Sequence, residues 1–408
     1  MKKSIIVIGG GAAGMMAACA AAARGHRVTL LEKNDRLGKK LLITGKGRCN
    51  LTNMADVPAL IENVPGNPSF LYSAFYAFDS DATIAFFDSL GLRTKVERGN
   101  RVFPVSDQSA DVVNAFYRRM SACHVDIRLR TTAKAIETNA DRVCAVVDTN
   151  NCRHTADAVI VATGGLSYPA TGATGDGYAF ARAAGHTIAK LRPALVPLLT
   201  VESFVPDLQG LSLKNVGLTV QLGGKTVFKD FGEMLFTHFG VSGPIILRAS
   251  RHLSGRHGDR PTLLIDLKPA LSEKELDARL LRDFEKYCNK DLINALDDLL
   301  PQKLIPVVVA LSGADPHQKV RDLTREGRKR LLAHMKGLAV TVRGDRGYKE
   351  AVITTGGVSV DEVDPTTMAS KRLAGLYFAG EVLDVDGFTG GFNLQIAFST
   401  GHAAGSAV

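Results

Sequence analysis

The sequence predicts an α/β fold, in which a domain built on a parallel sheet is interrupted by a β-rich, barrel-like domain and a small helical domain. At the N-terminus, an apolar run, a glycine turn, a small-residue helix and a second apolar run follow in order over residues 4–32. Apolar runs at 158–162 and 376–379 are also followed by glycine. Short alternating strands, then helical spacing, fill much of 194–350. Residues 194–350 therefore read as an insertion into one α/β domain.

The N-terminal unit has the residues that a dinucleotide-binding turn requires. Gly9 permits a sharp turn out of the strand, Gly11 lets the backbone approach a pyrophosphate, and Gly14 lets the helix pack closely on the sheet. Glu32 ends the second strand, where a carboxylate accepts hydrogen bonds from ribose hydroxyls. A glycine triplet alone is a weak signal, but the order of strand, helix, strand and acid is a strong one.

The helix after the turn begins at Ala12 and Ala13, where unpaired N–H groups face a bound phosphate. The pair Lys2–Lys3, followed by an almost uncharged run to Ala23, is also typical of a secretory signal peptide. The glycines argue against that interpretation, and so does the strand after the helix, because cleavage near Ala23 would remove half of a βαβ unit. We therefore expect a nucleotide-binding domain and no membrane span.

Charge and cysteine content limit the classes of function. The net charge of +9 favours anionic partners, which include dinucleotides, acidic substrates and nucleic acid, and simple solubility is the alternative explanation. The six cysteines form no close pair, so we expect neither a metal site nor a redox disulfide. A reducing, cytoplasmic setting fits best.

A basic, glycine-punctuated segment follows Glu32. Its G-K-G-R loop exposes backbone N–H groups and places cations near a pyrophosphate, and a solvated turn is the alternative. We interpret the segment as cofactor-binding because it directly follows the strand that ends at the ribose-binding acid. Its candidate cofactor-binding residues are Lys33, Lys40, Gly45, Gly47, Arg48, Cys49 and Asn50.

A second junction of strand, glycine and helix lies in the middle of the chain. Thr163, Gly164 and Gly165 follow a buried-strand run, at a place where backbone can touch a ligand. A helix then opens near Asp176, and its dipole can face an anion. Asp176 is either an N-terminal cap of this helix or a cofactor contact.

The inserted part contains a strongly basic segment. Residues 317–349 carry ten Lys or Arg against three acids. A solvated helix face is the favoured interpretation and a nucleic-acid surface the alternative, which the scarcity of aromatic residues there weakens. The expected organisation is a nucleotide-binding domain in two parts (1–193 and 351–408), a β-rich domain in two parts (194–271 and 336–350) and a helical domain (272–335).

With two C-terminal glycine motifs added, these features resemble a known family. The chain is similar to the two-dinucleotide-binding-domain flavoproteins, and more closely to the HI0933-like, bile-acid-reductase-like NAD(P)/FAD-dependent oxidoreductases. The resemblance covers nearly the whole chain and implies FAD in a Rossmann-like domain. It implies that Glu381 hydrogen-bonds the ribityl chain and that residues 391–393 place N–H groups by the flavin's pyrimidine edge. The C-terminal candidates are Gly380, Glu381, Gly390, Gly391, Phe392 and Asn393.

The resemblance also implies a reaction. FAD would take hydride from NADH or NADPH and reduce an activated carbon–carbon double bond, in a steroid or bile-acid enone or in uridine of ribosomal RNA. An amine or amino-ketone oxidase using oxygen is an alternative, and a non-catalytic flavin-binding redox sensor or RNA-binding factor is one of another class. Reduction needs a proton donor. Tyr168, His238 and Cys49 are candidates because each lies in a loop expected to face the flavin, although packing or loop hydrogen bonding would also explain them.

Overall fold

The computed structural model describes residues 2–408. The chain forms two compact units: unit 1 comprises the chain up to Pro193 together with Ala351–Val408, and unit 2 comprises Ala194–Glu350. Unit 1 contains a parallel sheet covered by helices, and unit 2 contains a closed antiparallel barrel with helices. The predicted fold class is therefore confirmed.

The strands are mostly short, except Ser212–Leu222 and Lys225–Thr237, which have 11 and 13 residues. In chain order they are β1 Ser4–Ile8, β2 Arg27–Leu31, β3 Thr52–Asn53, β4 Thr94–Glu97, β5 Arg101–Pro104, β6 Asp126–Arg128, β7 Ala133–Asn139, β8 Arg142–Asp148, β9 Arg153–Thr155, β10 Ala158–Val161, β11 Arg192–Ala194, β12 Leu198–Thr200, β13 Ser212–Leu222, β14 Lys225–Thr237, β15 Gly240–Ser242, β16 Thr262–Asp266, β17 Leu338–Asp345, β18 Ile353–Thr355 and β19 Leu376–Phe378.

The α-helices are interspersed among these strands in unit 1, and three of them follow one another between β16 and β17 in unit 2. In chain order they are α1 Ala12–Ala23, α2 Lys39–Ile43, α3 Val57–Glu62, α4 Tyr72–Ala77, α5 Ser80–Ser89, α6 Ser109–Ala122, α7 Asp176–Ala183, α8 Pro244–Leu253, α9 Glu273–Lys286, α10 Leu304–Ser312, α11 Arg325–Lys336 and α12 Phe392–Ala407.

The central sheet of unit 1 has five parallel strands in the order β19–β10–β1–β2–β6. Strand β10 is fully apolar and buried, and β1 is so after Ser4, as expected for strands with helices on both faces. Two small antiparallel sheets, β3–β5–β4 and β7–β8–β9, accompany it. Because all five central strands run in the same direction, their carboxyl ends lie along one edge of the sheet.

The first and last helices of unit 1 pack backbone against backbone. A Cβ atom on Gly401 would lie 2.4 Å from the carbonyl oxygen of Ala13, and one on Gly405 would lie 2.3 Å from that of Ala17. Both facing surfaces are buried and made of small residues. This contact fixes the C-terminal helix beside the glycine turn at the N-terminus.

Unit 2 is built around a six-stranded closed barrel in the order β12–β15–β14–β13–β16–β17. The strands alternate, so that side chains such as Leu263 and Ile265 of β16 are buried in the barrel. Helix α9 begins with a capping box between Ser272 and Glu275. Across the described residues, no helix combines the length and the apolar character that a membrane span requires.

We expect alanine at Gly401 or Gly405 to destabilise unit 1. Alanine is the better helix former by up to about 1 kcal/mol, but the added methyl group meets backbone atoms, which cannot rotate away, and overpacking of this kind costs about 1–3 kcal/mol. Urea denaturation of Gly401→Ala and Gly405→Ala should give a lower free energy of unfolding, while Ser406→Ala on the same helix should change it little. An unchanged or higher value for both glycine variants would contradict this packing.

Candidate functional site

The candidate site is a cleft in unit 1, at the carboxyl edge of the parallel sheet. Strands β1, β10 and β19 are neighbours there, so their three glycine-bearing ends meet although they are far apart in the sequence. The cleft lining includes these candidate residues from the sequence: Gly9, Gly11, Ala12, Ala13, Glu32, Lys33, Lys40, Thr163, Gly164, Gly165, Asp176, Gly380, Glu381 and Asn393.

The glycine turn after β1 is shaped by close backbone contacts. Gly9 has φ +108°, and a Cβ atom there would lie 2.5 Å from the carbonyl oxygen of Ala162. A Cβ atom on Gly14 would lie 1.9 Å from the carbonyl oxygen of Gly9, so this position must be glycine for the helix to follow the turn. Gly11 differs, because a Cβ atom there would have no atom within 4 Å. The open space beside Gly11 is therefore available to a ligand.

Helix α1 presents an uncapped N-terminus to this space. Its N-cap residue is Gly11, no side chain makes a capping hydrogen bond, and no acidic residue lies in the first turn. The first N–H groups of an α-helix have no partner within the helix, and the dipole adds partial positive charge. The turn therefore forms an anion site made of backbone.

Glu32 lies at the end of β2 and is 7% exposed. One carboxylate oxygen accepts the Gly10 N–H at 2.7 Å, and the other accepts the backbone and side-chain N–H groups of Asn34, each at 2.7 Å. These contacts orient the carboxylate in the cleft lining. A carboxylate in this position can accept further hydrogen bonds from a ribose.

Glu381, just after β19, is held from two sides. The Lys40 ammonium donates to one oxygen at 2.6 Å, and the Thr354 N–H donates to the other at 2.8 Å. The Thr354 hydroxyl in turn accepts the Leu166 N–H at 2.8 Å. The ion pair therefore links α2 to the end of β19, and both of its side chains line the cleft.

The start of α12 is positioned by residues of the segment 50–53. Gly391 has φ +104°, and a Cβ atom there would lie 2.3 Å from the carbonyl carbon of Thr52. The Asn53 amide donates to the carbonyl oxygen of Gly390 at 3.0 Å. Asn393 bonds the backbone of Gly387 in both directions, at 2.9 and 2.7 Å. Within the described chain, Gly390, Gly391 and Phe392 support this turn but do not line the cleft themselves.

The G-K-G-R loop, residues 45–48, lies outside the cleft lining. Among the described residues, Gly14, Gly45, Gly47, Arg48, Cys49 and Asn50 are outside the cleft lining. The Arg48 guanidinium forms ion pairs with Glu97 and with Asp107, the latter at 2.6 Å, and it lies 4.2 Å from the Phe103 ring centroid. Its charge is therefore used within the protein rather than at the cleft.

The three candidate proton donors also lie outside the cleft lining. Cys49 is fully buried, and burial raises the pKa of its thiol to about 12. Tyr168 is partly buried and follows the cleft-lining Gly165 by three residues. His238 belongs to unit 2, where it is exposed in the turn between β14 and β15.

Sequence reasoning missed several lining residues that have no motif. Asn34 is one, and its side chain donates to both Glu32 and the carbonyl oxygen of Thr171. Thr131, Thr132 and Ala133 also line the cleft, because the chain after β6 turns back beside the end of β2. Only the position of Asn34, two residues after the acid, could have drawn attention to it.

The cleft fits FAD by its own features. It offers open space at Gly11, the free N–H groups of α1 and an oriented carboxylate at Glu32. The hydroxyl oxygen of Thr163 is buried in the lining and has no hydrogen-bond partner in the described structure. This hydroxyl faces Gly177, where a Cβ atom would lie 2.1 Å from it, so it belongs to the packing beneath the cleft rather than to the ligand-facing surface.

Comparisons with known proteins agree with this geometry. A family model described as "HI0933-like protein Rossmann domain" matches residues 3–407. The chain is 34% identical to a 3-dehydro-bile acid delta(4,6)-reductase from Clostridium scindens, over 93% of this chain and 92% of the relative. It is 30% identical to a ribosomal RNA dihydrouridine synthase from Escherichia coli, over 93% of this chain and 91% of the relative.

A solved structure shares the fold. The 3-ketosteroid delta1-dehydrogenase of Sterolibacterium denitrificans superposes with a TM-score of 0.53 at 13% identity, covering 99% of this chain and 98% of that one. Fold, cleft and relatives together define an FAD-dependent oxidoreductase with a Rossmann-type domain. The chain belongs to the HI0933-like family, as the sequence motifs indicated.

Alanine at Gly11 and at Gly9 should separate binding from folding. Gly11 has φ −80° and space for a methyl group, so Gly11→Ala should leave the unfolding temperature of the FAD-free protein unchanged. The methyl group would crowd a pyrophosphate, and we expect FAD affinity to fall by about 10-fold or more. Gly9→Ala should instead lower the stability itself. Titration with FAD and thermal unfolding test both, and normal FAD affinity in Gly11→Ala would contradict the assignment.

Proposed function

We propose that the protein reduces a carbon–carbon double bond that is conjugated to a carbonyl group, in a small-molecule enone of the steroid type. The observation that carries this proposal is the similarity, over more than nine tenths of both chains, to relatives whose names share one chemistry. A delta(4,6)-reductase and a dihydrouridine synthase both saturate such a bond. The cleft supports the proposal because it holds the groups that FAD requires.

The chain must supply what the cofactor does not. When bound, FAD supplies hydride transfer. The protein would position the double bond, polarise its carbonyl group and provide a proton to the carbon next to that carbonyl. We propose that the ribityl and flavin end lies beside β10 and β19, with Glu381 at the ribityl chain and the start of α12, where Asn393 lines the cleft, at the pyrimidine edge.

We propose NADH or NADPH as the electron donor and the cytoplasm, which holds both nucleotides, as the location. The resemblance of the motifs to NAD(P)-dependent flavoproteins supports this donor. Only one strand–glycine–helix–strand–acid unit is evident in the sequence, and it belongs to the FAD site. The donor would therefore bind transiently.

An enone substrate is favoured over RNA because several cations of the basic segment 317–349 are paired within the protein. Arg328 pairs with Asp277 at 2.8 Å, and the guanidinium of Arg330 donates to the carbonyl oxygen of Ser312 at 2.7 Å. Lys336 pairs with Asp266 at 2.6 Å. These cations stabilise unit 2, so a smaller part of the segment's charge is available to phosphates than the sequence indicates.

Uridine in ribosomal RNA is the second candidate, because one relative is a ribosomal RNA dihydrouridine synthase. The two candidates differ in a direct measurement. With FAD bound and NADPH supplied, we would compare turnover of a 3-keto-4-ene steroid with formation of dihydrouridine in unmodified ribosomal RNA. Turnover of the steroid alone supports the first candidate, and dihydrouridine alone supports the second.

Anaerobic reduction tests the electron donor. We expect NADH or NADPH to bleach the flavin absorbance near 450 nm, and the enone to restore it. The matched control is Gly11→Ala, which should show little bound flavin and no bleaching. Absence of bleaching with both nucleotides would exclude the NAD(P)H-dependent reductase. Reduction by an amine followed by reoxidation with oxygen would indicate the oxidase instead, and no redox response of any kind would indicate a sensor or RNA-binding factor.

Of the three candidate proton donors we propose Tyr168, because it follows Gly165, a residue of the cleft lining, by only three positions. General acid catalysis contributes about 10²–10⁴-fold, so Tyr168→Phe should slow reoxidation of the flavin by the enone by about 100-fold. Reduction by NAD(P)H should be unaffected. Stopped-flow measurement of the two half-reactions tests this, with Tyr117→Phe, an exposed tyrosine on α6, as the control. Unchanged reoxidation would exclude Tyr168, and a loss in His238→Ala alone would transfer the role to His238.

A further inference from the structure

The loop after β10 takes a path over the cleft. Strand β10 lies on one side of β1, and β2 lies on the other. Residues 171–176 follow β10 in the chain, yet they contact Lys33 and Asn34, which follow β2. To make these contacts the loop must cross the carboxyl end of β1, where the glycine turn would hold the pyrophosphate of FAD.

Two contacts fasten the far end of this loop. The Lys33 ammonium pairs with Asp176 at 2.6 Å and also donates to the Thr174 hydroxyl, which in turn donates to Asp176 at 2.9 Å. The Asn34 amide donates to the carbonyl oxygen of Thr171 at 3.0 Å. The N-cap residue of α7 is Gly175, and the described hydrogen bonds of the Asp176 side chain are those from Lys33 and Thr174. Its carboxylate is thus committed to Lys33.

Glycines allow the loop to lie close to β2. Gly172 has φ +99°, and a Cβ atom there would lie 2.6 Å from the Asn34 amide nitrogen and 3.2 Å from the Cε atom of Lys33. Gly175 has φ +83°, and a Cβ atom there would lie 2.9 Å from a methyl group of Leu166. Both conformations favour glycine. The loop is therefore built to fit against Lys33 and Asn34 rather than to extend into solvent.

The fastened end of the loop lies at one end of the cleft, where the adenosine part of FAD would bind. Thr171, Gly172, Ala173 and Asp176 line the cleft on the side of Glu32, the ribose carboxylate, and of Thr131–Ala133. The opposite side is formed by Gly380 and Glu381 after β19. The fastened end therefore covers the adenosine half of the site.

We propose that residues 171–176 form a clasp that closes over the adenosine half of bound FAD, and that opening of the Lys33–Asp176 and Asn34–Thr171 contacts limits FAD release. The clasp rests on the FAD site and is independent of the substrate. It assigns Lys33, Asp176 and Thr174 as positioning residues that hold the loop.

Charge alone predicts the opposite effect of Asp176. The carboxylate repels the FAD pyrophosphate, and it neutralises Lys33, a cation that could otherwise attract the phosphates. Removal of the negative charge would then slow FAD loss. A clasp predicts faster loss, because the same change opens the loop. The sign of the change therefore distinguishes the two explanations.

The experiment measures FAD dissociation from the holoprotein. After dilution into an excess of an apoflavoprotein that binds FAD and serves as a trap, the change in flavin fluorescence gives the release rate without any turnover. We expect Asp176→Asn to release FAD about fivefold faster or more. Glu137→Gln, which removes an exposed carboxylate paired with Arg153 on β9, should release FAD at the wild-type rate. Release from Asp176→Asn that is unchanged or slower overturns the clasp.

Thr174→Val provides a second variant that keeps every charge. Thr174 is exposed and lies outside the cleft lining, so it can act on FAD only through the loop. We expect faster FAD release together with faster hydrogen exchange of the 171–175 amides in the holoprotein. Wild-type rates for both measurements in Thr174→Val overturn the clasp, even where Asp176→Asn does not fold. A missing enone activity would contradict the proposed substrate and leave these rates unaffected.

Discussion

The contact between helices α1 and α12 is the interaction on which the cofactor site depends. It joins the two ends of the chain, because Gly401 and Gly405 let α12 approach the carbonyl oxygens of α1. The same pairing places Gly380 against Ala13, where a Cβ atom would lie only 2.7 Å from the Ala13 methyl group. The Gly380 N–H also donates to the Thr400 hydroxyl at 2.9 Å. The end of β19 is thereby held beside the phosphate turn.

A buried network of hydrogen bonds holds the side of α12 that faces away from α1. The Gln395 side chain is fully buried, and its oxygen accepts the hydroxyl groups of Thr52 and Thr83 at 2.6 and 3.0 Å. Its amide donates to the carbonyl oxygen of Phe78 and to the Ser399 hydroxyl, both at 2.9 Å. A network in which each member is satisfied fixes one arrangement, since any shift leaves a buried polar group unpaired. The segment 50–53 therefore acts on the cleft through α12, and none of its residues is part of the described cleft lining.

Residues that line the cleft differ from residues that only position its walls, and this difference explains which parts of the site the sequence could predict. Gly9, Gly11 and Gly164 could be recognised because each stands in a local pattern of an apolar run followed by glycine, although the close contact of Gly9 with Ala162 could not. The fold class and the family followed from such positions. The function of Arg48 could not be predicted, because its partner Asp107 lies 59 residues away. Nothing in the sequence of the loop itself shows whether its arginine has an acidic partner. The contact of Asn34 with Thr171 could not be predicted either, because its acceptor is a backbone carbonyl group, which every residue has.

Charge within the cleft shows how FAD would be held. The lining contains three lysines, Lys33, Lys39 and Lys40, against four carboxylates, Glu32, Asp176, Glu381 and Asp386. Each lysine is paired with a carboxylate, with Lys39 bound to Asp35 at 3.0 Å. A dianionic pyrophosphate therefore meets no excess of cationic side chains. Its attraction must come from the N–H groups and dipole at the start of α1, which are fixed in place by the fold and cost nothing to reorganise. Affinity for the cofactor is in this way tied to the packing that positions α1.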